Sequence, residues 1–138
     1  MNGRVFIDTN VLVYAVLESE KEKHSRILDF FSGLKKKRIF ISYQVINELY
    51  FVLLRNKIHE EAIEVFIDDV IAKFNVLPMD ITTIKKGWHL RKKYRLSYWD
   101  SLICASALDA GCRIVYSEDM HSGMKIEKSL VIINPFET

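Results

Sequence analysis

Short runs of branched apolar residues alternate along this chain with longer stretches of helical period. The runs at 5–7, 39–41, 76–79, 114–116 and 130–133 each end in polar residues, and each has the length and β-branching of a strand buried on both faces. Between the second and third runs, Ala62, Ile63, Phe66, Ile67, Val70, Ile71 and Phe74 fall on one stripe of a helix. Helical patterns also cover 11–17, 23–34, 44–55, 83–94 and 98–110, the last followed by Gly111, where a left-handed cap would sit. Strands alternating with helices predict a three-layer α/β/α sandwich with a central parallel sheet of about five strands. Pro78 has no N–H to give to a ladder, which puts the third strand at a sheet edge.

Composition narrows the class. A chain of 138 residues, 49% of them apolar, can bury a core as one domain, taken as 1–138, without disulfides or a structural metal. Cys104 and Cys112 are the only cysteines and form no C-x-x-C pair, so both are expected reduced and packed. The net charge of +2 carries no general attraction for nucleic acid, and any such recognition must be local. No apolar run approaches the roughly 20 residues that span a bilayer, and the first residues lack a secretory pattern. The expectation is a cytoplasmic protein with no membrane partner.

Parallel α/β sheets bind ligands at the carboxyl ends of their strands, and acidic residues collect there. Asp8 follows the first strand directly, Asp119 follows the fourth by three residues, and Asp100 lies at the start of the helix leading into that fourth strand. Glu48 sits in the helix after the second strand, at the margin of the stripe formed by Val45, Leu49, Val52 and Leu53, from which it can reach the same end. At about 5 Å and an effective dielectric of about 20, each carboxylate pair costs roughly 3 kcal/mol. Proton uptake or a bound cation must offset that repulsion, and an all-oxygen set favours Mg²⁺, with Mn²⁺ as the alternative. A hard cation on carboxylates suits hydrolysis of a phosphodiester.

The segments FIDTN (6–10), INELY (46–50), YWDSLICASA (98–107) and YSEDM (116–120) resemble, in order and spacing, the four acidic motifs of the PIN domain family. The stretch SEDMHSG followed by LVIINPF is similar to the small VapC-type ribonuclease toxins of toxin-antitoxin pairs. The resemblance implies that Asp8 and Asp100 are the principal metal ligands, that Asp119 completes the pocket, and that Glu48 is a ligand or the base that orients water. It makes Asn10 and Ser117 the polar groups that orient these carboxylates. It further implies Mg²⁺-dependent cleavage of an RNA substrate, homodimerisation and a small antitoxin protein as partner.

Structural roles compete for the same residues. Asp8 or Asn10 can cap the following helix, Ser97 and Asp100 have capping-box spacing, Asp119 suits a turn, and Glu48 suits a solvated stripe edge. Lys93 and Arg95, just ahead of Asp100, are possible RNA-backbone contacts, whereas the run 35–38 reads as a solvated face. Tyr14, Tyr98 and Trp99 suit base stacking or packing. His24, His59, His89 and His121 lack ligand spacing, and Ser97, Ser101 and Ser117 lack a nucleophile's setting. An aspartyl-phosphate mechanism of the haloacid-dehalogenase kind needs a D-x-D signature, which Asn10 breaks. Two competing functions stand beside the toxin nuclease: a silent PIN-fold module binding RNA or protein, and an RNA-processing nuclease outside toxin-antitoxin systems. The apolar girth of Tyr50, Phe51, Leu53 and Leu54 beside Glu48 suggests a helix partly in the core and partly beneath a partner.

Overall fold

The computed structural model describes residues 3–137; the first two residues and the last of the expected domain lie outside them. The chain runs β1 (Arg4–Ile7), α1 (Thr9–Val13), α2 (Lys21–Ser32), β2 (Arg38–Ser42), α3 (Tyr43–Arg55), α4 (Glu60–Lys73), β3 (Asn75–Leu77), α5 (Ile81–Tyr94), α6 (Tyr98–Asp109), β4 (Ile114–Tyr116), β5 (Lys125–Ile126) and β6 (Leu130–Ile133). The strands form one sheet in the order β3-β2-β1-β4-β6-β5, parallel except where β5 meets β6. Val5, Phe6 and Ile7 of β1 are all buried, so both faces of the sheet centre are covered by helices.

The chain leaves β1 for β2 on one side and returns from β3 to β4 on the other. The crevice therefore opens beyond the carboxyl ends of β1 and β4, where the strand order reverses. Asp8 N–H donates to the Tyr116 carbonyl at 3.0 Å, which carries the β1–β4 pairing to the edge of that crevice. Helices α5 and α6 pack closely enough that a Cβ on Gly87 would come within 2.7 Å of Leu102 Cδ2.

Several expectations shift. The sheet has a sixth strand, β5, only two residues long and antiparallel, too short for a periodic signal. Helix α1 ends at Val13 rather than 17: Tyr14 to Leu17 stay packed on the core, but Ala15 and Val16 bond three residues back and Leu17 alone bonds four back, because apolar spacing reports burial rather than helical bonding. Strand β3 does lie at the sheet edge, yet it stops at Leu77, so Pro78 ends it rather than belonging to it. Gly111 takes φ +71 just past α6, the left-handed conformation expected of it. Cys104 and Cys112 are buried free thiols, each pushed up to about 12, chiefly by that burial.

Candidate functional site

The four acidic residues arrive from separate parts of the chain for identifiable local reasons. Asp8 caps α1, its Oδ1 accepting the Thr9 N–H at 2.7 Å. Ser42 caps α3, and six residues on this brings Glu48 to the crevice side. Ser97 caps α6 by accepting the Asp100 N–H at 3.2 Å, which fixes Asp100 in the first turn. Asp119 stands in the turn after β4. Asp8, Glu48, Asp100 and Asp119 all line one cavity of about 490 Å³. For Asp8, capping α1 through Oδ1 and lining the cavity are therefore compatible.

Hydrogen bonds hold the acids in place. Ser117 Oγ donates to Asp8 Oδ2 at 2.9 Å, and Asn10 Nδ2 bridges Asp8 Oδ2 and Asp119 Oδ2, each at 3.1 Å. Asn10 Oδ1 accepts the Glu118 N–H at 2.9 Å, so one amide joins β1 to the β4 turn in both directions. Glu48 Oε1 accepts from Gln44 at 3.1 Å and from Thr9 at 3.4 Å. The roles of Thr9 and Gln44 went unread in the sequence. Gln44 had a signal: it stands four residues before Glu48, the spacing of side-chain neighbours on a helix.

The electrostatics follow from burial. Desolvation pushes the Asp8 carboxyl up to about 7 against the pull of its Ser117 and Thr9 hydrogen bonds, and the charges of Asp100 and Glu48 add to the rise. Glu48 and Asp100 are raised too, first by partial burial; their Gln44, Thr9 and Ser97 hydrogen bonds oppose this, and a neighbouring acid adds to it. Asp100 acts on Glu48, and Asp119 acts on Asp100. The four are thus coupled in a chain, although among the described residues no three His, Cys, Asp or Glu side chains stand close enough to enclose an ion unaided. All-oxygen donors facing one hollow still fit a hard, water-retaining cation, whose remaining ligands are solvent.

Other candidates are placed differently. Lys93 and Arg95 do not line this cavity. Lys93 Nζ pairs with Glu127 at 2.7 Å on the β5–β6 turn, and Arg95, at φ +57, closes α5. Tyr14 lines the cavity and donates to Glu118 at 2.8 Å, while Lys23, also bonded to Glu118, lies over the Tyr14 ring. Of the α3 girth, Leu53 is buried, whereas Phe51 and Leu54 are exposed.

Comparisons with known proteins bear on the fold and the family. No curated protein sequence matches the chain. Among solved structures, the chain is similar to one in the Rickettsia felis VapBC2 complex bound to a promoter DNA fragment (TM-score 0.68, 18% identity, 94% of this chain and 96% of that one). It is similar to one in the FitAcB structure from Neisseria gonorrhoeae (TM-score 0.69, 16% identity, 97% and 99%). It is also similar to the Mycobacterium tuberculosis toxin VapC20, described as cleaving the sarcin-ricin loop (TM-score 0.67, 16% identity, 83% and 89%). These identities establish a shared fold. The sequence profile of the PIN domain matches residues 5–122, a span that contains all four acidic positions, and the chain belongs to the PIN domain family.

Proposed function

We propose that this chain is a metal-dependent endoribonuclease, the toxin half of a cytoplasmic toxin-antitoxin pair. The observation that carries the reading is the convergence of Asp8, Glu48, Asp100 and Asp119 on one cavity, with the Asp8 carboxyl raised chiefly by its burial and further by Asp100 and Glu48. Buried like charges are retained at a cost that binding of a cation relieves.

Asp8 and Asp100 would be the main ligands of Mg²⁺ or Mn²⁺, with Asp119 and Glu48 completing the set. When bound, such an ion supplies a water of lowered pKa and neutralises charge on the phosphate. The chain's own residues do the rest. Asn10 and Ser117 fix Asp8 Oδ2, and Asn10 also holds Asp119. Glu48 Oε1 is engaged by Gln44 and Thr9, which leaves Oε2 to orient the water or take its proton.

The toxin reading is supported by the folds it resembles, which include a toxin-antitoxin complex from Klebsiella pneumoniae and a sarcin-ricin loop cleaving toxin. A small antitoxin and a second copy of the chain are the partners it entails, and the exposed Phe51 and Leu54 on α3 suit burial beneath a protein.

RNA cleavage with Mg²⁺, Mn²⁺ or chelator, comparing the native chain with Asp8→Asn and Asp100→Asn, tests the nuclease. Cutting is expected only with metal and only in the native chain; cutting that survives chelator or both substitutions refutes it. A growth assay with and without the neighbouring gene product tests the toxin half.

A further inference from the structure

A second cluster of side chains stands at the rim of the acidic cavity, where α1, α2, the β4 turn and the segment after β6 meet. Tyr14 Oη donates to Glu118 Oε1 at 2.8 Å, while Lys23 Nζ pairs with Glu118 Oε2 and reaches Tyr14 Oη at 3.3 Å. The Lys23 ammonium lies 4.8 Å from the centre of the Tyr14 ring and 5.5 Å from that of Phe136, and the two rings meet at 87°. His24 Nδ1 donates to the Tyr14 carbonyl at 2.8 Å, so α2 grips Tyr14 at both ends. Both carboxylate oxygens of Glu118 are thereby engaged. Asp8, Glu48, Asp100 and Asp119, in contrast, have no cationic side chain within ion-pair range among the described residues.

The cluster continues into the acidic site through the main chain. Glu118 N–H donates to Asn10 Oδ1 at 2.9 Å, which orients that amide with Nδ2 toward Asp8 Oδ2 and Asp119 Oδ2. Asp119 is the next residue of the same turn. Tyr14 and Glu118 line the cavity but Lys23 does not, and Arg55 is the only lysine or arginine that does so among the described residues. Lys23 therefore meets the site through Glu118 rather than directly. Without its two donors, the Glu118 carboxylate could turn into the hollow and add another negative charge to it. We propose that Lys23 and Tyr14 are positioning residues of the metal pocket: by anchoring Glu118 they fix the β4 turn, and with it the Asn10 amide and Asp119. The assignment rests on the metal-dependent nuclease reading above. It also reverses a sign, because a lysine near a cation site weakens binding by its charge alone, and removing it should then tighten the site. A lysine that positions the acids does the opposite, and its removal loosens the site.

Mn²⁺ titration of the full chain by electron paramagnetic resonance reads this clamp without substrate. Lys23→Met keeps an apolar stem against the two rings and removes the ammonium. It is expected to weaken Mn²⁺ binding about tenfold, the lower end for partners that orient metal ligands. Lys23→Arg keeps affinity close to native. In a chain already carrying Glu118→Ala, Lys23→Met costs no further affinity, since the lysine acts through Glu118. The metal-free protein supplies a second readout: by nuclear magnetic resonance, the Asn10 side-chain amide protons exchange with water faster in Lys23→Met and in Tyr14→Phe than in native protein. Circular dichroism verifies that each variant is folded. Affinity of Lys23→Met equal to or tighter than native, the same loss with and without Glu118, or unchanged Asn10 exchange in both variants overturns the clamp. A native chain that binds no Mn²⁺ overturns the metal reading itself, and the Asn10 exchange still decides whether Lys23 and Tyr14 hold that amide.

Discussion

Ser117 Oγ donates to Asp8 Oδ2 at 2.9 Å across a sequence separation of 109 residues, with Ser117 fully buried and Asp8 only 5% exposed. This bond opposes the desolvation that raises Asp8. Replacing Ser117 with Ala leaves a buried carboxylate short of a donor, a loss of about 1–3 kcal/mol when Asp8 is ionised. The loss shrinks when Asp8 is protonated. Urea unfolding of Ser117→Ala and native protein at pH 8 and pH 5 is expected to give the larger difference at pH 8, and a pH-independent difference would contradict the assignment.

The metal-free protein is expected to lose stability as pH rises. Asp8 has an ordinary value of 3.8 unfolded and about 7 folded, so between those values the folded state binds more protons and stability falls with pH. The full contribution is present below about pH 4 and gone above about pH 7, on the order of 4 kcal/mol in all. Other titrating groups are superimposed on this, so the readout is the difference between native protein and Asp8→Asn. That difference should grow steadily over this range in the presence of chelator.

Asp8→Asn should therefore do opposite things to stability and to activity. Without metal at pH 8, the amide removes a buried charge coupled to Asp100 and Glu48, and the melting temperature rises by several degrees. RNA cleavage falls by at least about 100-fold, the scale of losing a group that organises the reaction. A variant both less stable and fully active would reverse both halves.

The sequence made the parallel α/β sandwich legible because β1, β2, β4 and β6 are continuous branched runs, and α3 and α4 are long enough to show their period. What escaped was set by contacts rather than by pattern. Strand β5 exists through its pairing with β6, and Tyr14 to Leu17 pack on the core with mostly three-residue rather than α-helical bonds. The meeting of the four acids was foreseeable from strand ends, whereas Lys93 turned out to face Glu127, a tertiary partner that spacing cannot reveal. Arg55 gave no sequence signal, since its place in the cavity depends on where α3 ends relative to α6.

Ser97 links fold and site through the cap of α6. Ser97→Ala removes the acceptor of the Asp100 N–H and should cost about 1 kcal/mol of stability by urea unfolding. It also removes the hydrogen bonding that restrains Asp100 from a higher pKa. Metal-dependent activity of this variant should therefore require higher pH than that of native protein, and an unshifted pH profile would show that Ser97 serves the helix alone.

The central claim is that Asp8, Glu48, Asp100 and Asp119 together hold a divalent ion. Electron paramagnetic resonance titration with Mn²⁺ reads this without any substrate. Saturable binding by the native chain, competed by Mg²⁺ and lost in both Asp8→Asn and Asp100→Asn, is the expected result. Free-ion signal throughout, or binding equal in all three proteins, would contradict it.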